Sequence, residues 1–131
     1  MVEKSELSRR IQAVARDEAA VRSAARYALA SFDGYLDRAD GDRIEGWVWD
    51  TLQVVKDIQV EIYDGGVFLT RVVANSLRPD LKRQGVGTGR YGFSLPTPAG
   101  LKDGAEHLIE ALVAFTEFRL KGCPCKLRVS E

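Results

Sequence analysis

Gly34-Tyr35-Leu36-Asp37, Ile44-Glu45-Gly46-Trp47-Val48-Trp49-Asp50, Arg78-Pro79-Asp80-Leu81 and Gly85-Val86-Gly87-Thr88-Gly89-Arg90-Tyr91-Gly92-Phe93 mark out residues 34–93. Between these landmarks, short apolar alternations are separated by Asp40-Gly41 and Asp64-Gly65-Gly66. Alternation with period two, punctuated by such turn pairs, is the signal of antiparallel strands in a small sheet protein. No nucleophile–base set, metal-ligating cluster or phosphate loop stands in the stretch. Its reading is therefore architectural first.

Residues 35–39 and 43–49 predict a hairpin about a type I′ turn at Asp40-Gly41. In the returning strand Ile44, Gly46 and Val48 share one face, and Arg43, Glu45, Trp47 and Trp49 share the other. Residues 57–63 alternate Ile58, Val60 and Ile62 against Gln59, Glu61 and Tyr63, which predicts a half-buried strand. Residues 67–75 run back from the Asp64-Gly65-Gly66 turn. The strand rhythm breaks over residues 77–89, where residues 80–84 predict one helical turn, and resumes over 91–95. Residues 106–115 predict the longest strand, with His107, Ile109, Ala111, Val113 and Phe115 on one face. Residues 118–120 and 125–129 supply the last edge. Seven or eight short strands at this spacing predict a mainly β, antiparallel two-sheet sandwich of immunoglobulin-like or jelly-roll-like type.

Upstream the composition changes. All 12 glycines and all 4 prolines lie beyond residue 33, and the preceding segment is rich in Ala, Arg and Glu. From the N-cap candidate Ser5, apolar residues at Leu7, Ile11, Val14, Val21, Ala25, Ala28 and Phe32 recur at helical intervals. The pattern predicts one long N-terminal helix that Asp33-Gly34 ends, and hence a division into residues 1–32 and a sandwich of residues 33–131. Two readings of the narrow apolar stripe stand side by side. The helix is a connector lying against its neighbour, or residues 5–32 form a short coiled-coil seam that pairs two copies, with Glu18 as a polar seam position.

The totals exclude several classes of function. Over 131 residues, Lys plus Arg and Asp plus Glu both total 19, so there is no electrostatic pull toward nucleic acid or an anionic membrane. No apolar run reaches the length that spans a bilayer, and no apolar core of a secretory leader opens the chain, so a cytoplasmic location is expected. Cys123 and Cys125, one residue apart around Pro124, suit reduced structural thiols better than a disulfide. His107 is the one histidine, too few ligands for a structural zinc site, and no cofactor is expected.

Read as an ordered set, the motifs resemble a β-sandwich accessory module attached to bacterial glycosyltransferases, methyltransferases and proteins of surface-polysaccharide assembly. The resemblance rests on Gly34-Tyr35-Leu36-Asp37, Gly46-Trp47-Val48-Trp49-Asp50, Val60-Glu61-Ile62-Tyr63-Asp64-Gly65, Arg78-Pro79-Asp80-Leu81 and Gly85-Val86-Gly87. It continues through Gly92-Phe93, Leu101-Lys102-Asp103-Gly104 and Leu120-Lys121-Gly122-Cys123-Pro124, where Cys123 replaces the expected serine. It implies a non-catalytic accessory domain that handles carbohydrate or positions a partner such as a glycosyltransferase.

Two groups of residues are candidate ligand contacts. Trp47 and Trp49, with Asp50 beside them, offer indole faces for the apolar C–H side of a sugar ring and a carboxylate for its hydroxyls. The opposing reading is that the tryptophans fill the sandwich core. Arg78 and Asp80 offer a guanidinium and a carboxylate to a polar ligand. The opposing reading is a loop clasp in which Arg78 pairs with a carboxylate and Asp80 caps the helical turn. The Gly85, Gly87 and Gly89 series lacks the strand-before, helix-after context of a phosphate loop and predicts left-handed turns instead. His107, without a nucleophile or second ligand, is expected to be structural, and the Asp37, Asp40 and Asp42 carboxylates to be turn residues.

Overall fold

The computed structural model describes residues 18–130, with side chains from Val21 onward. A helix, α1 (Glu18–Ala28), leads into eight strands: β1 (Phe32–Ala39), β2 (Arg43–Asp50), β3 (Ile58–Asp64), β4 (Val67–Ala74), β5 (Ser76–Leu77), β6 (Arg90–Pro96), β7 (His107–Val113) and β8 (Cys125–Leu127). A short helix, α2 (Pro79–Arg83), sits between β5 and β6, and a 3-10 turn, Ala99–Leu101, precedes β7. The strands form two four-stranded sheets, ordered β1-β2-β6-β5 and β4-β3-β7-β8, and every pairing within them is antiparallel. The expected two-sheet fold is what the chain adopts. Of the predicted helix over residues 5–32, residues 5–17 lie outside the described residues; the described part ends at Ala28 and not at Asp33-Gly34, and Phe32 opens β1 paired with Asp50. Among the described residues no helix is long and apolar enough to cross a membrane.

The alternation seen in the sequence becomes the sandwich interior. Ile44 and Val48 of β2, Val60 and Ile62 of β3, and Ile109, Ala111 and Val113 of β7 are all completely buried. Because successive strand residues point to opposite faces, each of these strands gives one row to this shared core and the other to an outer face. On β2 the register runs Ile44↔Leu95 and Gly46↔Phe93 toward β6, and Leu36↔Gly46 toward β1, on the inner side. The chain then changes sheets at Asn75, leaving β4 in the second sheet and entering β5 in the first.

One end of the sandwich is closed by the last turn of α1. Tyr27 is buried in the core, its ring 5.1 Å from that of Phe115 and 5.9 Å from that of Phe32, and its hydroxyl accepts the Gln59 N–H at 2.9 Å. The end of the helix is thus packed into the same apolar cluster as both sheets.

Two local expectations differ from the structure. The β1–β2 connection is not a type I′ turn: Asp40, Gly41 and Asp42 form a three-residue loop in which one Asp40 carboxylate oxygen accepts the Asp42 and Arg43 N–H groups. The side chain supplies the turn's hydrogen bonds, so Gly41 has no need of the left-handed region. The predicted strand at 118–120 reduces to a single bridge, Leu112↔Arg119, beyond which Lys121 bonds the free edge of β1 through Leu36 N–H and Gly34 C=O.

Candidate functional site

On the outer face of the first sheet the tryptophans emerge where the alternation of β2 places them. Trp47 and Trp49 are half-buried and share that face with Arg43 and Glu45, so neither fills the core. Trp47 stands directly across from Tyr35 of β1, which is 44% exposed, and on its other side across from Gly92 of β6. Cross-strand neighbours on one face lie about 4.5–5.5 Å apart at Cβ, so the two residues stand side by side as one strip of that face, with the Tyr35 ring leaning over Gly122. Trp49 is engaged differently: its ring lies 5.5 Å from that of Tyr91, toward the end of the sheet.

Gly92 leaves room for a crossing side chain. A Cβ there would come within 2.7 Å of Arg78 Cγ, so the aliphatic stem of Arg78 occupies the space a side chain would fill. From this position the Arg78 guanidinium donates to both carboxylate oxygens of Asp80, at 3.0 and 2.8 Å, and to Asp37 of β1 at 2.9 Å. Bonding to Asp80, then to Asp37, raises the Arg78 pKa despite partial burial, and Asp80 is held below the usual carboxylate range by the same contact. The cleft beside this fork, about 350 Å³, is bordered by Asp37, Glu45, Ser76, Arg78 and Ser94. Further along, Arg43 donates to the Ser94 hydroxyl at 2.7 Å, and that hydroxyl donates to Glu45 at 2.8 Å. Arg38 pairs with Asp40 and Asp42 and lies 3.7 Å from Glu45; hydrogen bonding to Arg38 draws Asp40 down to about 2.

The structure thus brings Trp47, Arg78 and Asp80 to one face with Glu45, which the strand alternation had placed there, and adds Tyr35, Asp37 and Ser94, which were not foreseen as contacts. The Tyr35–Trp47 pair was readable from the hairpin register. Asp37 was not, because the contact joins residues 41 positions apart. Two expectations need correcting. Asp80 is no cap: α2 has no side-chain cap bond, because its carboxylate is committed to the Arg78 fork. Asp50 does not join the tryptophans; as the last residue of the inner row it is 2% exposed. Its carboxylate accepts backbone N–H groups from Ser31, Leu52, Val54 and Val55 at 2.7–2.9 Å, leaving it saturated. Burial pushes its pKa up, but those four donors outweigh burial and hold it below the ordinary value.

The remaining singled-out residues are structural. His107 is gripped by Asp64 at Nδ1, 2.7 Å, and Asp103 at Nε2, 2.8 Å, tying the loop before β7 to the end of β3. Cys123 and Cys125 are free thiols; Cys123 Sγ accepts the Ala111 N–H at 3.3 Å, and burial raises its pKa. Gly85, Gly87 and Gly89 take φ of 77°, 45° and 78°, the left-handed turns expected of them. Among the described residues no group of three metal-ligating side chains converges. The outer face of the second sheet contrasts with the first: Glu61 there is 4% exposed and bonded by Arg71 at 2.6 Å and the Tyr63 hydroxyl at 2.9 Å.

No protein-family model matches the chain, and no curated protein matches it significantly. Among solved structures, a Family 28 exopolygalacturonase from Yersinia enterocolitica aligns over 77% of this chain with 16% identity and a TM-score of 0.34. The chain covers 20% of that enzyme's length. A likeness this slight says nothing of what the chain does.

Proposed function

We propose that this chain is a non-catalytic, carbohydrate-binding accessory domain, and that its ligand lies on the outer face of the first sheet. The observation that carries the reading is the Tyr35–Trp47 strip set beside the Arg78 fork. A pyranose presents an apolar C–H face to a ring and hydroxyls around its edge, and amphipathic recognition needs both surfaces together. Arg78, locked by two carboxylates, keeps its geometry before a ligand arrives, which limits the ordering cost of binding. Asp37, Glu45 and Ser94 supply acceptors and a hydroxyl along the same cleft. Such a domain positions a glycan for a partner enzyme, with a glycosyltransferase the partner the motif resemblance suggests.

The test is titration with neutral, acidic and deoxy oligosaccharides, read by tryptophan fluorescence and by residue-resolved amide shifts. Binding is expected to perturb Tyr35, Trp47 and Gly92, and Trp47→Ala is expected to weaken it by about tenfold or more, as for loss of an aromatic contact. Silence at these residues across all three sugar classes would end this reading. It would favour a protein-interaction or self-association module, to which the exposed Val21 (44%) of α1 and Leu29 (68%) just past its end lend support.

A further inference from the structure

At the end of the sandwich where β2 and β4 finish and β3 and β6 begin, a second cavity opens, about 370 Å³ in volume. That lies within the range of small-molecule sites. Its floor includes buried Val55 and Ile58, and one wall carries Tyr91, which Trp49 backs from the neighbouring strand. Gln53 and Asn75 bring amides to the lining and Thr88 a hydroxyl.

Both walls are fixed without help from a ligand. Thr51, Leu52, Gln53, Val54 and Val55 each commit their backbone N–H, the first to Ser31 C=O, the others to the Asp50 carbonyl or carboxylate. Within this bonded turn Gln53 takes φ of 55°, and Asp57, just beyond it, takes 51°. Non-glycine residues persist in that region only where their surroundings over-determine them, and such positions cluster at ligand sites. Opposite, Thr88 N–H bonds the Tyr91 hydroxyl, Arg90 N–H bonds Thr88 Oγ1, and Gly89 N–H bonds Val86 C=O.

The charges on these rigid walls are unspent. Lys56 comes from one wall and Arg90 from the other, and neither has an ion-pair or side-chain hydrogen-bond partner among the described residues. On the outer face of the first sheet, by contrast, Arg38, Arg43 and Arg78 are all paired. Two carboxylates border the cavity. That of Asp50 keeps its charge, but it is buried and its oxygens are taken up by four backbone donors, which leaves Asp57 as the one acid there exposed to a ligand beside the two cations.

We propose that this cavity binds a small polar molecule through one oxyanion, a carboxylate or a phosphate, bridged between Lys56 and Arg90. Asn75, Gln53 and Thr88 meet its hydroxyls, and Tyr91 its apolar face. The site is separate from the Tyr35–Trp47 strip and stands whether or not that strip binds glycan.

Amide shifts of the whole chain, titrated separately with inorganic phosphate, glucuronate, glucose 1-phosphate and glucose, test it. The three anions are expected to move Asn75, Thr88, Arg90 and Tyr91, with an affinity that falls as salt rises. Glucose leaves those residues still. A tighter response to glucuronate than to glucose 1-phosphate assigns the group as carboxylate, and the reverse order assigns phosphate. Lys56→Gln and Arg90→Gln should each weaken the anion by about tenfold, the size of one lost charge-assisted hydrogen bond. Both side chains are exposed, so the fold should survive. Asp57→Asn, which removes the opposing charge, is expected to tighten binding. Anions that leave these residues unmoved, a response unchanged in the Lys56 and Arg90 variants, or equal binding of glucose would overturn the proposal.

Discussion

The carboxylate of Asp50 and the imidazole of His107 show how much of this fold hangs on single charged groups, and with opposite pH signs. His107 faces a carboxylate at each ring nitrogen, and an imidazole can donate to both only when protonated. Hydrogen bonding to Asp103, then to Asp64, therefore raises its pKa. A raised native value means stability is present in full below about 6.5, the unfolded value, and is lost as pH climbs through the native one. Urea midpoints between pH 5 and 9 should fall with rising pH for the native chain, and His107→Gln should remove that dependence. Asp50 runs the other way. Its native pKa is depressed, so its contribution is present above about 3.9 and disappears as pH falls through the native value. Asp50→Asn replaces an anion that accepts four N–H groups with an amide that has one acceptor oxygen. We expect a loss of about 2–4 kcal/mol in chemical denaturation, since some buried donors are left without partners.

At the scale of the element, α1 is tied to the sheets through Tyr27, while Arg26 donates to Val54 C=O in the β2–β3 connection at 3.1 Å. The Tyr27 ring fills a place between Phe32 and Phe115, and its hydroxyl satisfies the Gln59 N–H at the start of β3. The two contributions separate by substitution. Tyr27→Phe keeps the ring and strands one donor, for an expected cost of about 1–2 kcal/mol. Tyr27→Ala also opens a cavity in the core, for about 3–5 kcal/mol. Equal costs in thermal or urea unfolding would mean that the ring adds nothing beyond the hydroxyl. The strands themselves were legible because period two leaves no ambiguity over which face Ile44, Val48, Val60 and Ile62 take. Turn chemistry was less so: Asp40-Gly41 reads as a two-residue turn until the Asp40 carboxylate is seen doing the work of backbone geometry.

Across the whole molecule, the two sheets and the end of α1 share one apolar cluster, so the site on the first sheet and the cavity at the end of the sandwich rest on a common scaffold. The residues of both were visible in the chain, but their grouping was not. Trp47 and Trp49 look equivalent two places apart, yet one pairs with Tyr35 on an open face and the other leans on Tyr91 beside the cavity. Arg78 stands two places from Asp80 in the sequence and bonds it, yet a third partner, Asp37, comes from the far edge strand of the same sheet.

What the amino-acid order determined alone was local: strand periodicity, the left-handed glycine turn before β6 and the inner and outer rows, because each depends on residues within a few positions of one another. Tertiary structure decided which of those rows met, that Asp37 would complete the Arg78 fork, and that Lys56 and Arg90 would line one cavity with no carboxylate partner among the described residues. Such contacts join residues tens of positions apart, and their geometry exists only after the sheets have stacked.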